Sequence, residues 1–468
     1  MLHDTHGLSC ERKKILSLGR ALTGLATTGL LIGILVTSAH AQYLQNPPSA
    51  DGPEGSPPGA GPGGPLPRSQ SNGKPSGAYT VSAGATKTET AKKYGSSAQD
   101  VSAIMVTENA TLTLISPTIE TSGETSSNDA SSFFGLNAAV LVTKGATLKI
   151  SGGSIVTSGE GANGVFVTDA GSSAILSGLK IVASGNGGHG VMVSAGGAMT
   201  LTEVDMITSD AHSAAVAIDR GGGSINVIGG EATTSGAGSP GIYSTGTITA
   251  TGSKFTATGS EAAVIEGQNS ITLKNSVLVG KKLCGVMIYQ SFSGGAEGQR
   301  GVLTMDGGSL SAAEGPAFFV TNTTGEIALT KVTITAASGT LLRASAGRWG
   351  RKGTNGGKAV LTATTQTLVG DLVCDEASTI TANLRKNSTL TGTIKGAALT
   401  LDATSNWNVT GDSTLTSLTG ASIGLGTTIA NLHGNGHSVR YDGSLQANQW
   451  LSGKTYKLAD GGQLIPFP

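Results

Sequence analysis

The chain has 468 residues and a formal net charge of zero, so no basic excess points to nucleic acid or to an anionic membrane surface. Gly supplies 72 positions while aromatics are 4% and charges 13%, a profile that suits short strands joined by tight turns. It excludes a helical bundle, where so much Gly is costly, and the lack of a three-residue Gly period excludes collagen.

Residues 1–20 are polar and carry Arg12, Lys13, Lys14 and Arg20. Ala21 to Ala39 contains no charge, and Ala39-His40-Ala41 is a small-x-small cleavage pattern. A signal peptide over 1–41 is expected, cut before Gln42, which puts the mature chain outside the cytoplasm with no transmembrane segment. The alternative is an uncleaved anchor, because the apolar run is nearly long enough to span a bilayer. Gly24, Gly29 and Gly33 dilute that run. Cys10 lies in the leader, which leaves Cys284 and Cys374. These fall three or more coils apart, roughly 14 Å at the spacing of parallel strands, so no disulfide is expected.

Residues 42–78 are Pro- and Gly-rich, as in Pro57-Pro58 and Gly61-Pro62-Gly63-Gly64-Pro65. Such a stretch buries too little apolar surface to repay ordering, so it reads as a flexible tether with order beginning near Tyr79.

From about residue 100 the sequence repeats. One four-residue segment recurs as Ala103-Ile104-Met105-Val106, Ala139-Val140-Leu141-Val142, Gly164-Val165-Phe166-Val167, Gly190-Val191-Met192-Val193 and Ala215-Val216-Ala217-Ile218. It continues as Gly241-Ile242-Tyr243-Ser244, Ala263-Val264-Ile265-Glu266, Gly285-Val286-Met287-Ile288, Ala317-Phe318-Phe319-Val320 and Leu341-Leu342-Arg343-Ala344. The first position is Gly or Ala in nine of ten copies, and the second is always apolar. A second segment with alternating apolar residues follows, such as Thr147-Leu148-Lys149-Ile150. A third short strand, such as Ser154-Ile155-Val156, runs into a small-residue turn, Thr157-Ser158-Gly159.

Three strands and three turns per coil, with no helical period, predict an all-β chain: a right-handed, single-stranded, three-faced parallel β-helix over 79–366. A propeller blade needs about 40 residues, a leucine-rich repeat needs its Asn ladder, and calcium-binding nonapeptides need Gly-Gly-x-Gly-x-Asp runs. None of these is met.

Residues 367–468 change character. Asn387-Ser388-Thr389-Leu390-Thr391-Gly392 and Leu399-Thr400-Leu401 precede Ser405-Asn406-Trp407-Asn408-Val409-Thr410-Gly411-Asp412-Ser413-Thr414-Leu415. This stretch resembles the C-terminal end of pertactin-like autotransporter passenger domains, where a similar Trp-Asn-Val segment precedes the last coils. The long polar start of the leader is similar to the extended signal peptides of some of these proteins. The resemblance implies further β-helix coils and a cap over 367–468, and a protein secreted from or displayed on a Gram-negative cell, often as an adhesin. It departs in one respect. Autotransporters continue into a membrane β-barrel of alternating strands, whereas this sequence stops at Pro468, so the expectation is either a coding sequence cut short or a β-helix released or held by other means.

Candidate chemistry is sparse. Gly188-His189-Gly190 resembles the Gly-His-Gly step of polygalacturonases, but no Asn-x-Asp or Asp-Asp pair precedes it. The repeat assigns His189 to the turn before the recurring strand, where other coils carry Asn163, Ala214, Pro240, Cys284 and Pro316. Asp205, Asp219 and Asp306 fall at different coil positions, so no acidic cluster is expected. His433 and His437 have a metal-like spacing without a third ligand nearby. Two insertions leave the same place in the coil: Tyr289 to Arg300, and Ser345 to Gly357, which contains Arg348, Trp349, Arg351 and Lys352. Insertions on one edge of a solenoid often form its binding surface, and Trp and Arg are favoured at interaction hot spots. Tyr289, Arg300, Arg348, Trp349, Arg351 and Lys352 are therefore the binding candidates, against the alternative of a mobile, solvated loop. A third insertion, Glu124 to Gly135, is expected on another edge.

The expected protein is an adhesin-like, monomeric β-helix without catalysis, cofactor or metal, whose partner is a host or bacterial surface glycan or protein. The alternative is a polysaccharide lyase or glycoside hydrolase on a pectin-lyase-like β-helix. Two or three carboxylates converging on one exposed face would favour that alternative.

Overall fold

The computed structural model describes residues 74–291, 300–424 and 427–467. The expected leader and most of the expected tether lie outside the described residues. No described helix is long and apolar enough to cross a membrane.

The described chain winds as a parallel β-helix with three faces. The recurring four-residue segment builds the first face. Successive side chains of an extended strand point to opposite sides, so its second and fourth positions turn inward together. Val140 pairs with Val165, Val165 with Val191, Val191 with Val216, and Val216 with Ile242, all in parallel register. These five residues form one fully buried column. The second face stacks Leu148, Ala174, Met199, Ile225 and Ile248 in the same way. The third stacks Ile155, Ile181, Met206, Ala232 and Phe255. Each strand's backbone groups are paired only by the coils above and below, so no coil is complete alone. Each buried Val, Ile or Leu contributes about 1.5–3 kcal/mol. The turn after the third face depends on Gly: a Cβ added at Gly185 would stand 2.0 Å from the Gly159 carbonyl oxygen one coil below.

Four features differ from the sequence reading. The first strand spans Ser76–Val81, three residues earlier than Tyr79. Gly77, read as the end of the tether, packs instead into the ladder, where an added Cβ would stand 2.7 Å from Met105 Cβ. The copy at 263–266 is displaced by one residue, because Ile242 pairs with Ala263 and Tyr243 with Val264. Its true first position is Ala262, which satisfies the Gly-or-Ala rule as well as Ala263 does. The insertion after Glu124 folds as a helix, α1 (Asn128–Phe134), with Ser127 accepting from the Ala130 N–H and Gly135 closing it at φ 69°.

The fourth difference lies on the third face. Its ten-stranded sheet ends with Thr333–Ala336, and the strand Thr367–Val369 is not laddered onto it. The buried Gln366 side chain spans the break, accepting from the Val332 N–H at 2.7 Å and donating to the Val332 carbonyl at 2.6 Å. Beyond it the coils resume. Trp407 is fully buried between Leu390 and Leu432, and its indole N–H donates to the Gly392 carbonyl at 2.9 Å. A 3₁₀ turn, Gln446–Leu451, and an antiparallel pairing of Tyr456–Ala459 with Gln463–Phe467 close the stack. Cys284 is buried, Cys374 is half-buried, and both thiols are free.

Candidate functional site

The third position of the recurring segment faces outward. Leu141, Phe166, Met192, Ala217, Tyr243, Val264, Met287 and Phe319 therefore form a column on the outside of the first face. Its first part is covered. Leu141, Phe166, Met192 and Ala217 belong to a second buried apolar cluster, and Gly135 at the end of α1 lies against the Phe166 ring. The Ser194 hydroxyl donates to the Phe133 carbonyl at 3.0 Å, and the Arg220 guanidinium stacks on the Phe133 ring at 3.9 Å. The insertion expected on another edge thus folds onto this face.

Past Ala217 the column opens into a cleft of about 440 Å³, within the ordinary range for ligand sites. Tyr243, Val264, Met287 and Phe319 form its floor, and Ser132 of α1 stands at one end. Gly347, Arg348 and Trp349 of the 345–357 insertion form the far wall. That insertion is pinned rather than loosely solvated. Buried Asn355 donates to the carbonyls of Gly347 at 2.7 Å and Trp349 at 2.8 Å, and Asp375 accepts from the Ala346 N–H at 2.8 Å. Trp349 lies 5.8 Å from the Tyr289 ring, and Arg348 stacks on Trp349 at 4.2 Å.

Carboxyl groups stand on both margins of the floor. The residue after the fourth position of the recurring segment is Asp219 in one coil and Glu266 two coils on. Glu266 is only 2% exposed and accepts hydroxyl bonds from Tyr243, Ser291 and, at 2.7 Å, Tyr289. Asp219 lines the cleft and accepts the Arg220 N–H at 2.7 Å. Burial pushes its carboxyl up to about 6, and Glu266 adds to the rise against the opposing Arg220 amide. Burial drives the Tyr243 and Tyr289 phenols well above their ordinary values, and the Glu266 charge reinforces both.

On the opposite margin Glu261 occupies the turn position that His189 and Cys284 fill in other coils. Burial raises its carboxyl, while the Ser260 hydroxyl at 2.5 Å and the Arg348 charge oppose the rise. Burial also raises the Cys284 thiol, helped by Glu261. His189 accepts the Ala214 N–H on Nδ1 at 2.9 Å, and burial lowers it to about 4, so its imidazole is neutral at neutral pH.

Of the six binding residues read from the sequence, Tyr289, Arg348 and Trp349 meet in this cleft. Arg300 pairs instead with Glu326 at 3.3 Å, and Arg351 and Lys352 are exposed outside the cleft lining. Residues 292–299 of the Tyr289–Arg300 insertion lie outside the described residues. The expectation of no acidic cluster fails for Asp219, which shares the cleft with Glu261 and stands beside Glu266. The displaced copy concealed both glutamates: it put Glu266 at an inward strand position and kept Glu261 out of the turn column. Tyr243 and Phe319 were already in the repeat, and their outward parity was the signal that marked them. His433 faces Asp460 at 2.7 Å and His437 faces Asp412 at 3.9 Å, so the two imidazoles turn to different carboxylates. Among the described residues no group of three or more His, Cys, Asp or Glu is arranged to hold a metal.

Comparison with family models, curated proteins and solved structures returns no match to this chain.

Proposed function

We propose that this protein is a secreted or surface-displayed, adhesin-like β-helix that binds glycan in the first-face cleft without turning it over. The observation that carries the reading is the Tyr289–Trp349 pair facing Tyr243 and Phe319 along a groove parallel to the coil stack. From the coil of Asp219 to that of Phe319 is four coil steps, roughly 19 Å at parallel strand spacing. An extended run of sugars suits such a groove: apolar ring faces lie on aromatic walls while hydroxyls meet carboxyl groups at the margins. The leader and tether of the sequence support exposure outside the cell.

Asp219 and Glu261 also favour a second reading, a carbohydrate-active enzyme. Paired glycosidase carboxyls stand about 5–9.5 Å apart. Asp219 follows its strand and Glu261 precedes its own, an offset of roughly 16 Å of extended chain before the two intervening coil steps are added. Glu266 is nearer to Asp219, but three hydroxyl donors engage it. Binding is therefore the better supported of the two. A glycan array probed with wild-type chain and with Trp349→Ala, run beside reducing-sugar and unsaturated-product assays, tests both. Binding that the variant loses, without product, is the expected result. Product formation abolished by Asp219→Asn would transfer the assignment to catalysis, and an array without any ligand would defeat both.

A further inference from the structure

Resting on the glycan reading above, we propose that the cleft selects saccharides carrying protonated amino groups, with the ammonium seated at the Asp219 margin. The charges around the cleft do not balance there. Asp219 and Glu266 share that margin, and Glu261 stands on the other. The two nearby guanidinium groups stack on aromatic faces, Arg220 on Phe133 and Arg348 on Trp349; the Arg220 charge opposes Asp219 and the Arg348 charge opposes Glu261, which leaves two carboxyl groups against one cation at the Asp219 margin. His189 is neutral.

Asp219 is half-buried at the cleft wall, and only its Oδ1 is bonded. Oδ2 has no hydrogen-bond partner among the described residues. A neutral sugar hydroxyl could donate to that oxygen, but an ammonium brings an opposite charge as well as a donor, so it forms an ion pair where the hydroxyl forms only a hydrogen bond. The rings of Tyr243, Tyr289 and Phe319 line the same cleft, and their quadrupoles attract a full cation more strongly than a neutral hydroxyl. N-acetylation removes the charge and adds bulk, so it is the discriminating change on the ligand.

A basic peptide would satisfy the same charge. Peptides bind sheets chiefly by adding a strand to an open edge, and the strands under this cleft are paired with neighbours on both sides. The aromatic walls are left to recognise a ligand by its ring faces, which favours the saccharide.

The test is calorimetric titration of the full chain with oligomers of glucosamine, N-acetylglucosamine and glucose of equal length, with oligolysine as a fourth arm. Glucosamine oligomers should bind at least about tenfold more tightly than the other two saccharides. Asp219→Asn should remove that preference, while Trp349→Ala should weaken all three. Equal binding of the three, or a preference that survives in Asp219→Asn, overturns the inference and leaves the glycan reading intact. Binding of oligolysine alone, or of nothing, overturns both. The wild-type preference is read without any variant, so the result stands even where a substituted chain fails to fold.

Discussion

Two half-buried groups on the first-face cleft should make opposite contributions to stability in mild acid. Asp219 is raised to about 6 from an ordinary value of 3.8. The unfolded chain releases this proton near 3.8 and the folded chain near 6, so between those values the folded state binds more protons. Stability from this group is therefore complete below about 3.8 and is lost as pH rises to about 6. The difference is worth about 3 kcal/mol in size. His189 works the other way, being lowered to about 4 from 6.5. Its contribution is complete above about 6.5 and is lost as pH falls toward 4, again by about 3 kcal/mol. In wild type the two nearly cancel across the same window. Asp219→Asn deletes one of them. The variant should gain on wild type by about 3 kcal/mol between pH 4 and pH 7. His189→Asn, which places at this turn position the residue found at Asn163, should gain on wild type as pH falls. Urea midpoints at pH 4, 5, 6 and 7, compared at equal m-values, measure both differences. A difference between Asp219→Asn and wild type that stays flat across this range would refute the buried-carboxyl account.

Three further outcomes follow from single contacts. Gly185→Ala puts a Cβ 2.0 Å from the Gly159 carbonyl oxygen, so it should destabilise by about 1–3 kcal/mol or more, read as a lowered thermal midpoint. Asn355→Ala removes both bonds that pin the Trp349 segment, about 1–3 kcal/mol of local stability, and should speed tryptic cleavage after Arg348, Arg351 and Lys352 about tenfold or more with the global transition nearly unmoved. Gln366→Leu strands the Val332 N–H and carbonyl in a buried site at about 1–3 kcal/mol each, and hydrogen exchange at Val332 should rise in step.

The backbone architecture was legible because β-helix stacking is a repeated local rule. Val165, Val191, Val216 and Ile242 announce an inward column by type and spacing, and the register confirms it residue by residue. Tyr289, Arg348 and Trp349 were legible because insertions break that rule on one edge. What the spacing did not carry was depth. Arg300, Arg351 and Lys352 belong to the same insertions as the cleft residues, but Arg300 opens the strand Arg300–Asp306 and pairs with Glu326, and the fold-back that Asn355 fixes separates Trp349 from the exposed Arg351 and Lys352. The helix over Phe166 was missed for a related reason, since α1 has seven residues and gains its place from Phe133 and Gly135 meeting the coil surface rather than from propensity.

The one-residue displacement at 263–266 shows where sequence reading of a solenoid becomes fragile. A parallel ladder assigns side chains to inside or outside by parity alone, so a slip of one residue exchanges the two faces of an entire strand. Ala262 and Ala263 both fit the small first position, and only the pairing of Ile242 with Ala263 decides between them. In the displaced reading Glu266 points into an aliphatic core, where a carboxylate without partners is prohibitive, and Val264 does so comfortably. In the true register Val264 lines the cleft and Glu266 meets three hydroxyls at its margin. Burial of an ionisable side chain in the aliphatic column was thus a physical objection available before any coordinates. Testing each copy for inward-facing charge, and shifting it by one where charge appears, puts Glu266 on the Asp219 margin of the outward column and Glu261 in the turn column on the opposite margin.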